Sequence, residues 1–259
     1  MFEKTIGFVG AGRIARILLG GWERAGLEFP AVVAADVDGA ALQRLPRCGG
    51  RLQTLQGDNS VAAQQDVVFV AVHPPAMAEA LPALAGSLRQ NAVVVSLAPK
   101  VKLTKLAELA GGFNRFARAI PNAPSLVGQG FNPLAFGDEL SAADRGLLRR
   151  LFEPLGAAPE VEERTLEIYA VITAMGPTYL WPQLAELVEQ AKSFGLAPAD
   201  ALHAVGRMAA GASATLAESG LTPSEVGDLV PVRPLAECEA AFLDAYRTRL
   251  PAMMANLRS

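Results

Sequence analysis

Thr5-Ile6-Gly7-Phe8-Val9-Gly10-Ala11-Gly12-Arg13-Ile14-Ala15 decides the fold. A short apolar run meets a Gly-x-Gly-x-x-Ala turn, after which Ile14, Ile17 and Leu18 recur at helical spacing, so the stretch reads strand, tight turn, helix. Gly10 permits the turn, Gly12 lets backbone amides approach a pyrophosphate, and Ala15 keeps the helix close to the strand, while the helix N-terminus supplies partial positive charge. Alone, such a motif also fits a purely structural corner, so its surroundings must carry the argument.

Working outward, Ala31-Val32-Val33-Ala34-Ala35 reads as a buried second strand ending at Asp36. A carboxylate there accepts hydrogen bonds from ribose hydroxyls and repels a 2′-phosphate, which favours NAD(H) and leaves NADP(H) possible. The same Asp36, like Asp38, also suits a cap on a helix at Gly39-Ala40-Ala41-Leu42. Val67-Val68-Phe69-Val70-Ala71-Val72 and Ala92-Val93-Val94-Val95-Ser96-Leu97 are too short for helices and rich in valine, as strands of a parallel sheet covered on both faces are. Residues 75–88 supply a crossover helix between them. Ligands bind beyond the carboxyl ends of such strands, which selects His73-Pro74 and Ala98-Pro99-Lys100. His73 and Lys100 also fit ordinary surface groups. The candidate cofactor set is Gly10, Gly12, Arg13, Ile14, Ala15, Asp36, Asn59, Ala71, Val72, His73, Pro74, Ala98 and Asn122.

With 259 residues the chain exceeds the usual single domain, and the expected division is 1–160 and 161–259. The 51% hydrophobic and 19% charged content excludes a disordered polymer. A net charge of −3 without any Lys or Arg block argues against nucleic acid and anionic membranes, leaving small molecules as partners. Cys48 and Cys238 lie far apart with no metal-ligand spacing, so no metal or disulfide is expected. The N-terminal ten residues read as a strand rather than a signal core, no stretch reads as a membrane span, and the expected location is the cytoplasm.

Arg118-Ala119-Ile120-Pro121-Asn122-Ala123-Pro124 and Val127-Gly128-Gln129-Gly130 bring in a family. With the opening Ile6–Gly12 stretch, Phe69-Val70-Ala71-Val72-His73-Pro74 and Gly176-Pro177-Thr178-Tyr179, the chain resembles the pyrroline-5-carboxylate reductases along nearly its whole length. The resemblance implies a Rossmann domain, a helical domain that dimerises, and hydride transfer to a cyclic imine. From the residues themselves, Asn122 sits in a rigid loop between Pro121 and Pro124, where its amide either orients the nicotinamide half of a cofactor or simply forms a turn. The departures are specific. The family has Lys where this chain has His73, Ala-Gly at Pro99-Lys100, and Ser-Gly-Ser at Thr173-Ala174-Met175. Its Ser-Pro-Gly-Gly loop is replaced by Pro231-Val232-Arg233-Pro234-Leu235-Ala236-Glu237, and prolines donate no amide to a substrate carboxylate. Arg233 is either a replacement clamp or a surface arginine.

An amphipathic helix over 141–152 and a short strand over 158–161 close the first domain, and the pattern is helical afterwards. Leu166, Tyr169 and Ile172 recur on one face, and Pro177, Pro198, Pro223 and Pro234 fall at first helical positions. Thr222-Pro223-Ser224-Glu225 makes a capping box. Residues 204–216 are mostly small, too thin for a core alone, so a second subunit or intramolecular packing must cover them. His203 and the methionines read as structural. The expected architecture is α/β, a Rossmann-like doubly wound sheet followed by an all-helical dimerisation domain. The leading function is an NAD(P)H-dependent reductase of a C=N bond, in which Thr178 or Tyr179 offers a hydroxyl to the ring nitrogen and Arg233 meets an anion. The alternatives are a reductase of another small substrate and a cofactor-binding dimer with little catalysis.

Overall fold

Valine-rich segments form the sheet because helices cover both of its faces. In the computed structural model, which describes residues 2–258, β1 (Ile6–Val9), α1 (Arg13–Arg24), β2 (Val32–Asp36), α2 (Gly39–Gln43), β3 (Leu52–Gln56), α3 (Ser60–Ala63), β4 (Val67–Val70), α4 (Pro74–Ala85), β5 (Val93–Ser96), α5 (Leu103–Leu109) and β6 (Phe116–Ala119) alternate. After β7 (Gly130–Phe131), β8 (Leu134–Phe136) adds an antiparallel edge, giving the order β3-β2-β1-β4-β5-β6-β8. α6 (Ala142–Phe152) starts at a Ser141 capping box with Asp144, and β9 (Gly156–Ala157) pairs with β7. The strand expected over 158–161 is reduced to one bridge, Leu134 with Glu160, in which the Leu134 amide donates to the Pro159 carbonyl and the Val161 amide to the Leu134 carbonyl.

β1 lies inside the sheet between β2 and β4, with Phe8 in register with Ala34 on one side and Phe69 on the other. Phe8 and Phe69 stack at 5.0 Å, Trp22 of α1 lies 5.5 to 5.9 Å from both, and the Trp22 indole donates to the Leu151 carbonyl at 2.7 Å. The opposite face is mostly aliphatic, built from residues such as Val9, Val33, Val68, Val70, Met77 and Leu81, with Phe116 at one end. Gly7 is the contact point of α3, since a Cβ there would sit 1.9 Å from the Ala62 carbonyl oxygen.

Residues 2–175 pack as one compact unit with residues 254–258; Gly176–Met253 forms a second. Residues 161–175, which the sequence groups with the helical half, therefore pack with the sheet. Within them α7 (Leu166–Tyr169) runs into a π-helical turn, Ala170–Ala174. The wider turn breaks the three-residue stripe, so Leu166 is buried while Ile172 is 54% exposed. In the second unit α8 (Pro177–Ser193), α9 (Pro198–Glu218) and α10 (Pro223–Asp228) begin on the expected prolines, and Thr222 and Glu225 form the capping box. Pro234 starts no α-helix: a 3₁₀ turn, Ala236–Cys238, leads into α11 (Glu239–Arg258). Among the described residues, no helix is long and apolar enough to cross a membrane.

Candidate functional site

The strand order reverses between β1 and β4, which opens a crevice at their carboxyl ends. There the two loops touch. Gly10 has φ +99°, and a Cβ on it would lie 2.8 Å from the Ala71 carbonyl oxygen, so only glycine fits. Gly12 caps α1 with φ −70°, and a Cβ there would meet nothing within 4 Å. The first glycine thus makes the turn, while the second faces open space beside the unpaired amides of α1, a shape that admits a pyrophosphate. Ala15 is buried on the sheet and Ile14 packs against the core. Arg13, Arg16 and Arg44 join Ala11 and Gly12 around a small cavity of about 50 Å³.

The two acidic residues after β2 divide their work. Asp38 caps α2, accepting from the Ala40 amide at 2.8 Å. Asp36 accepts from the Ala11 amide at 2.6 Å and the Asp38 amide at 2.9 Å, tying the end of β2 to the glycine turn. Each of its oxygens keeps a second lone pair for a ribose hydroxyl. Asn59 precedes α3 without capping it; Asp58 accepts from the Ser60 amide and hydroxyl instead. Ala71 and Val72 are half-buried, His73 stands exposed at the N-terminus of α4 without a capping bond, and Pro74 is the first residue of that helix. Ala98 is buried beyond β5.

Asn122 is buried with its amide committed. Its Nδ2 donates to the Thr173 carbonyl at 3.0 Å and its Oδ1 accepts from the Phe131 amide at 3.0 Å. It joins the loop after β6 to the π-helical turn, a positioning task that the sequence did not disclose.

A charged network behind this edge was also missed. Arg118, fully buried on β6, donates to Glu163 at 3.0 Å and Glu167 at 2.6 Å. Glu163 also accepts from the Leu103 amide at 2.6 Å and Glu167 from the Lys100 amide at 3.1 Å. The loop beyond β5 is therefore held to residues 163–167. Burial pushes the Glu167 carboxyl upward, but the Arg118 hydrogen bond and charge and the Lys100 amide outweigh it, and the pKa falls below the usual glutamate value. The available signal was a single arginine in an otherwise apolar strand, which demands an ion partner.

In the second unit Thr178 is exposed on the first turn of α8. Tyr179 meets Tyr246 edge-on at 6.0 Å, and its phenol is raised by burial and then by Tyr246. Arg233 is engaged: one guanidinium nitrogen donates to both carboxylate oxygens of Glu239 at 2.5 Å. Among the described residues no group of three or more His, Cys, Asp or Glu is arranged to hold a metal.

Comparisons with known proteins bear on the chain as a whole. The family described as "NADP oxidoreductase coenzyme F420-dependent" matches residues 5–100. Pyrroline-5-carboxylate reductase of Corynebacterium melassecola is 29% identical over 234 residues, covering 86% of this chain and 83% of the relative. That of Pseudomonas aeruginosa is 28% identical over 244 residues, covering 93% and 88%. The crystal structure of Plasmodium falciparum pyrroline carboxylate reductase with NADP bound superposes with TM-score 0.82 at 19% identity, covering 100% of this chain and 98% of that one. A Coxiella burnetii pyrroline-5-carboxylate reductase gives 0.73 at 24% identity, covering 99% and 98%. Those two structures share the fold, and the sequence relatives align with the chain over most of their own length. The chain is thus similar to the pyrroline-5-carboxylate reductases over most of its length.

Proposed function

We propose that this protein is an NAD(P)H-dependent reductase that delivers a hydride to the C=N bond of a small cyclic imine. The observation that carries this reading is the open face of Gly12 beside the Asp36-anchored turn, in a chain whose sequence relatives are reductases of such an imine. A bound nicotinamide cofactor supplies the hydride. The chain's own part is to hold and orient. Gly10, Gly12, Arg13, Ile14 and Ala15 form the pyrophosphate turn, with Asp36 at the ribose. Asn59, Ala71, Val72, His73, Pro74 and Ala98 border the crevice, and Asn122 fixes the loop beside it. Asp36 favours NADH over NADPH by repelling a 2′-phosphate.

A protonated cyclic imine is already electrophilic, so orientation and a proton source suffice without a nucleophile or metal. The hydroxyl of Thr178 or Tyr179 hydrogen-bonds the ring nitrogen; a raised phenol pKa keeps Tyr179 a donor at neutral pH. The helical second unit, Gly176–Met253, dimerises, and the enzyme works in the cytoplasm. A second reading of the substrate, an imine other than pyrroline-5-carboxylate, is favoured by one contact: Arg233, the available carboxylate clamp, is already satisfied by Glu239.

The test is a fluorescence titration of NADH and NADPH, followed by cofactor oxidation with a panel of cyclic imines. Binding together with turnover of at least one imine is expected, and Asp36→Ser should narrow the NADH preference. Binding without any turnover would replace the reductase reading with that of a cofactor-binding dimer.

A further inference from the structure

Arg118 lies one residue from the end of β6, fully buried, and its guanidinium donates through two nitrogens to two carboxylates. In each carboxylate a single oxygen bridges the arginine to a loop amide. Oε1 of Glu163 accepts from Arg118 Nη1 at 3.0 Å and from the Leu103 amide at 2.6 Å. Oε1 of Glu167 accepts from Arg118 Nη2 at 2.6 Å and from the Lys100 amide at 3.1 Å. The same segment takes a third tie, from the Asn122 side-chain amide to the Thr173 carbonyl. Residues 163–173 therefore brace the loop beyond β5 and the loop beyond β6 together. Stability does not account for this arrangement, because a buried ion cluster is commonly matched or surpassed by apolar side chains of similar volume. Its cost is visible here. Arg118 Nε and the Ser96 hydroxyl, on residues in register across β5 and β6, are buried without a hydrogen-bond partner among the described residues. Lys100 adds a second cost, since its φ of +76° is a backbone state that persists only where the surroundings over-determine it.

What the cluster fixes is position. A sheet of this strand order receives a dinucleotide across two halves, so the loops after β5 and β6 border the half opposite to β2 and β3, where the reaction takes place. Resting on the reductase reading above, we propose that Glu163 and Glu167 are positioning residues for hydride transfer: braced by Arg118, they set both loops at the spacing the reacting groups require, without touching those groups. A misplacement of about 1 Å at reacting atoms lowers a rate by about a hundredfold while leaving most binding contacts in place. The signature of such a role is a fall in kcat with binding retained.

The experiment compares the full-length parent with Glu167→Ala, Glu167→Gln, Glu163→Ala and Glu160→Gln. The Glu160 side chain pairs with Arg145 and Arg149 instead, so its variant reports what loss of an ion pair alone does. Hydrogen exchange of residues 98–104 is followed in the cofactor-free protein, and NADH affinity by fluorescence. Steady-state rates with an imine that the parent reduces are measured with NADH and with NADH deuterated at the transferred position. In Glu167→Ala the Lys100 amide should exchange about tenfold faster or more. Its kcat should fall by about tenfold to a hundredfold with a larger deuterium isotope effect. The NADH Kd and the imine KM should stay within about threefold of the parent. Glu167→Gln keeps an oxygen for both donors and should recover most of the protection and of the rate. Glu163→Ala should repeat the loss through the Leu103 amide, which decides the matter if Glu167→Ala does not fold. Glu160→Gln should lower the melting temperature alone. Unchanged exchange in the alanine variants, faster exchange with the parent kcat, a rate loss matched by lost NADH binding, or an equal rate loss in Glu160→Gln would overturn the proposal and leave the reductase reading standing. A parent protein that reduces no imine would overturn both.

Discussion

The buried guanidinium of Arg118 reaches Glu167 at 2.6 Å, and through that carboxylate it holds the Lys100 amide beyond β5. One ion pair thereby couples the end of the parallel sheet to the segment that leads into the π-helical turn. The pair is buried, so its consequences are measurable in stability. Glu167→Gln removes one charge-assisted partner while Glu163 still neutralises Arg118, and the expected loss at neutral pH is about 1.5 to 3 kcal/mol. The folded-state pKa of Glu167 lies below the usual glutamate value, so this contribution is complete above the unfolded-state value and fades as pH falls through the folded-state value. Urea unfolding at neutral pH and at about pH 3 should show the gap between parent and variant closing in acid. A gap that does not change with pH would show that Glu167 acts by shape alone.

Lys100 occupies the left-handed region, with φ +76°, at a position where the resembled family has glycine. A side chain there costs about 1 kcal/mol relative to glycine. Lys100→Gly keeps the amide that Glu167 accepts, so it should raise the melting temperature, by a few degrees for about 1 kcal/mol. A fall in melting temperature would mean that the lysine side chain contributes more than the strain it imposes.

Much of the sheet was legible because its strands are continuous apolar runs, and Gly10, Asp36 and the prolines of α8, α9 and α10 sit where their chemistry places them. β3 escaped because Leu52-Gln53-Thr54-Leu55-Gln56 is an edge strand, half-exposed and without an apolar face. β8 escaped because three residues pairing antiparallel with β6 leave no periodicity to read. The role of Asn122 depends on Thr173, and that of Arg118 on Glu163 and Glu167, partners distant in the chain that only tertiary packing brings near. A π-helical turn likewise follows from packing rather than from the three-residue spacing that suggested a regular helix.

The two glycines of the turn separate folding from binding. Gly10→Ala places a methyl 2.8 Å from the Ala71 carbonyl at φ +99° and should destabilise the fold by about 1 to 3 kcal/mol. Gly12→Val meets open space at an ordinary φ, so its melting temperature should stay near that of the parent while NADH binding weakens by about tenfold or more. Unimpaired NADH binding by Gly12→Val would remove the turn from the cofactor site.

The helices of the second unit leave an apolar surface uncovered. Leu180, Trp181, Leu187 and Leu202 are between 42% and 65% exposed, and among the described residues of α8 and α10 none is buried. Burying such side chains stabilises an association by roughly 25 cal/mol per Å² of apolar surface. The protein should therefore be a dimer or larger by light scattering, and Trp181→Glu should shift it towards monomer with little loss of helix. A monomeric parent protein at micromolar concentration would refute the interface.

The segment from Pro231 to Glu237 carries two prolines where the resembled family offers a glycine-rich loop, and prolines donate no amide. Its one cation, Arg233, is held by Glu239 through both carboxylate oxygens. If this segment faces the imine, a carboxylate on the substrate loses water without gaining donors. Two missing charge-assisted hydrogen bonds at about 1.5 to 3 kcal/mol each would lower kcat/KM for pyrroline-5-carboxylate by about a hundredfold to ten-thousandfold relative to a site that supplies them. Steady-state reduction of pyrroline-5-carboxylate should accordingly be no more efficient than that of a pyrroline lacking the carboxylate. Glu239→Gln removes the competing charge and should improve the carboxylated substrate alone, because only that substrate has an anion for the released guanidinium to meet. Arg233→Ala in the Glu239→Gln background should cancel the gain. Efficient turnover of pyrroline-5-carboxylate that neither substitution alters would place the carboxylate site elsewhere in the chain.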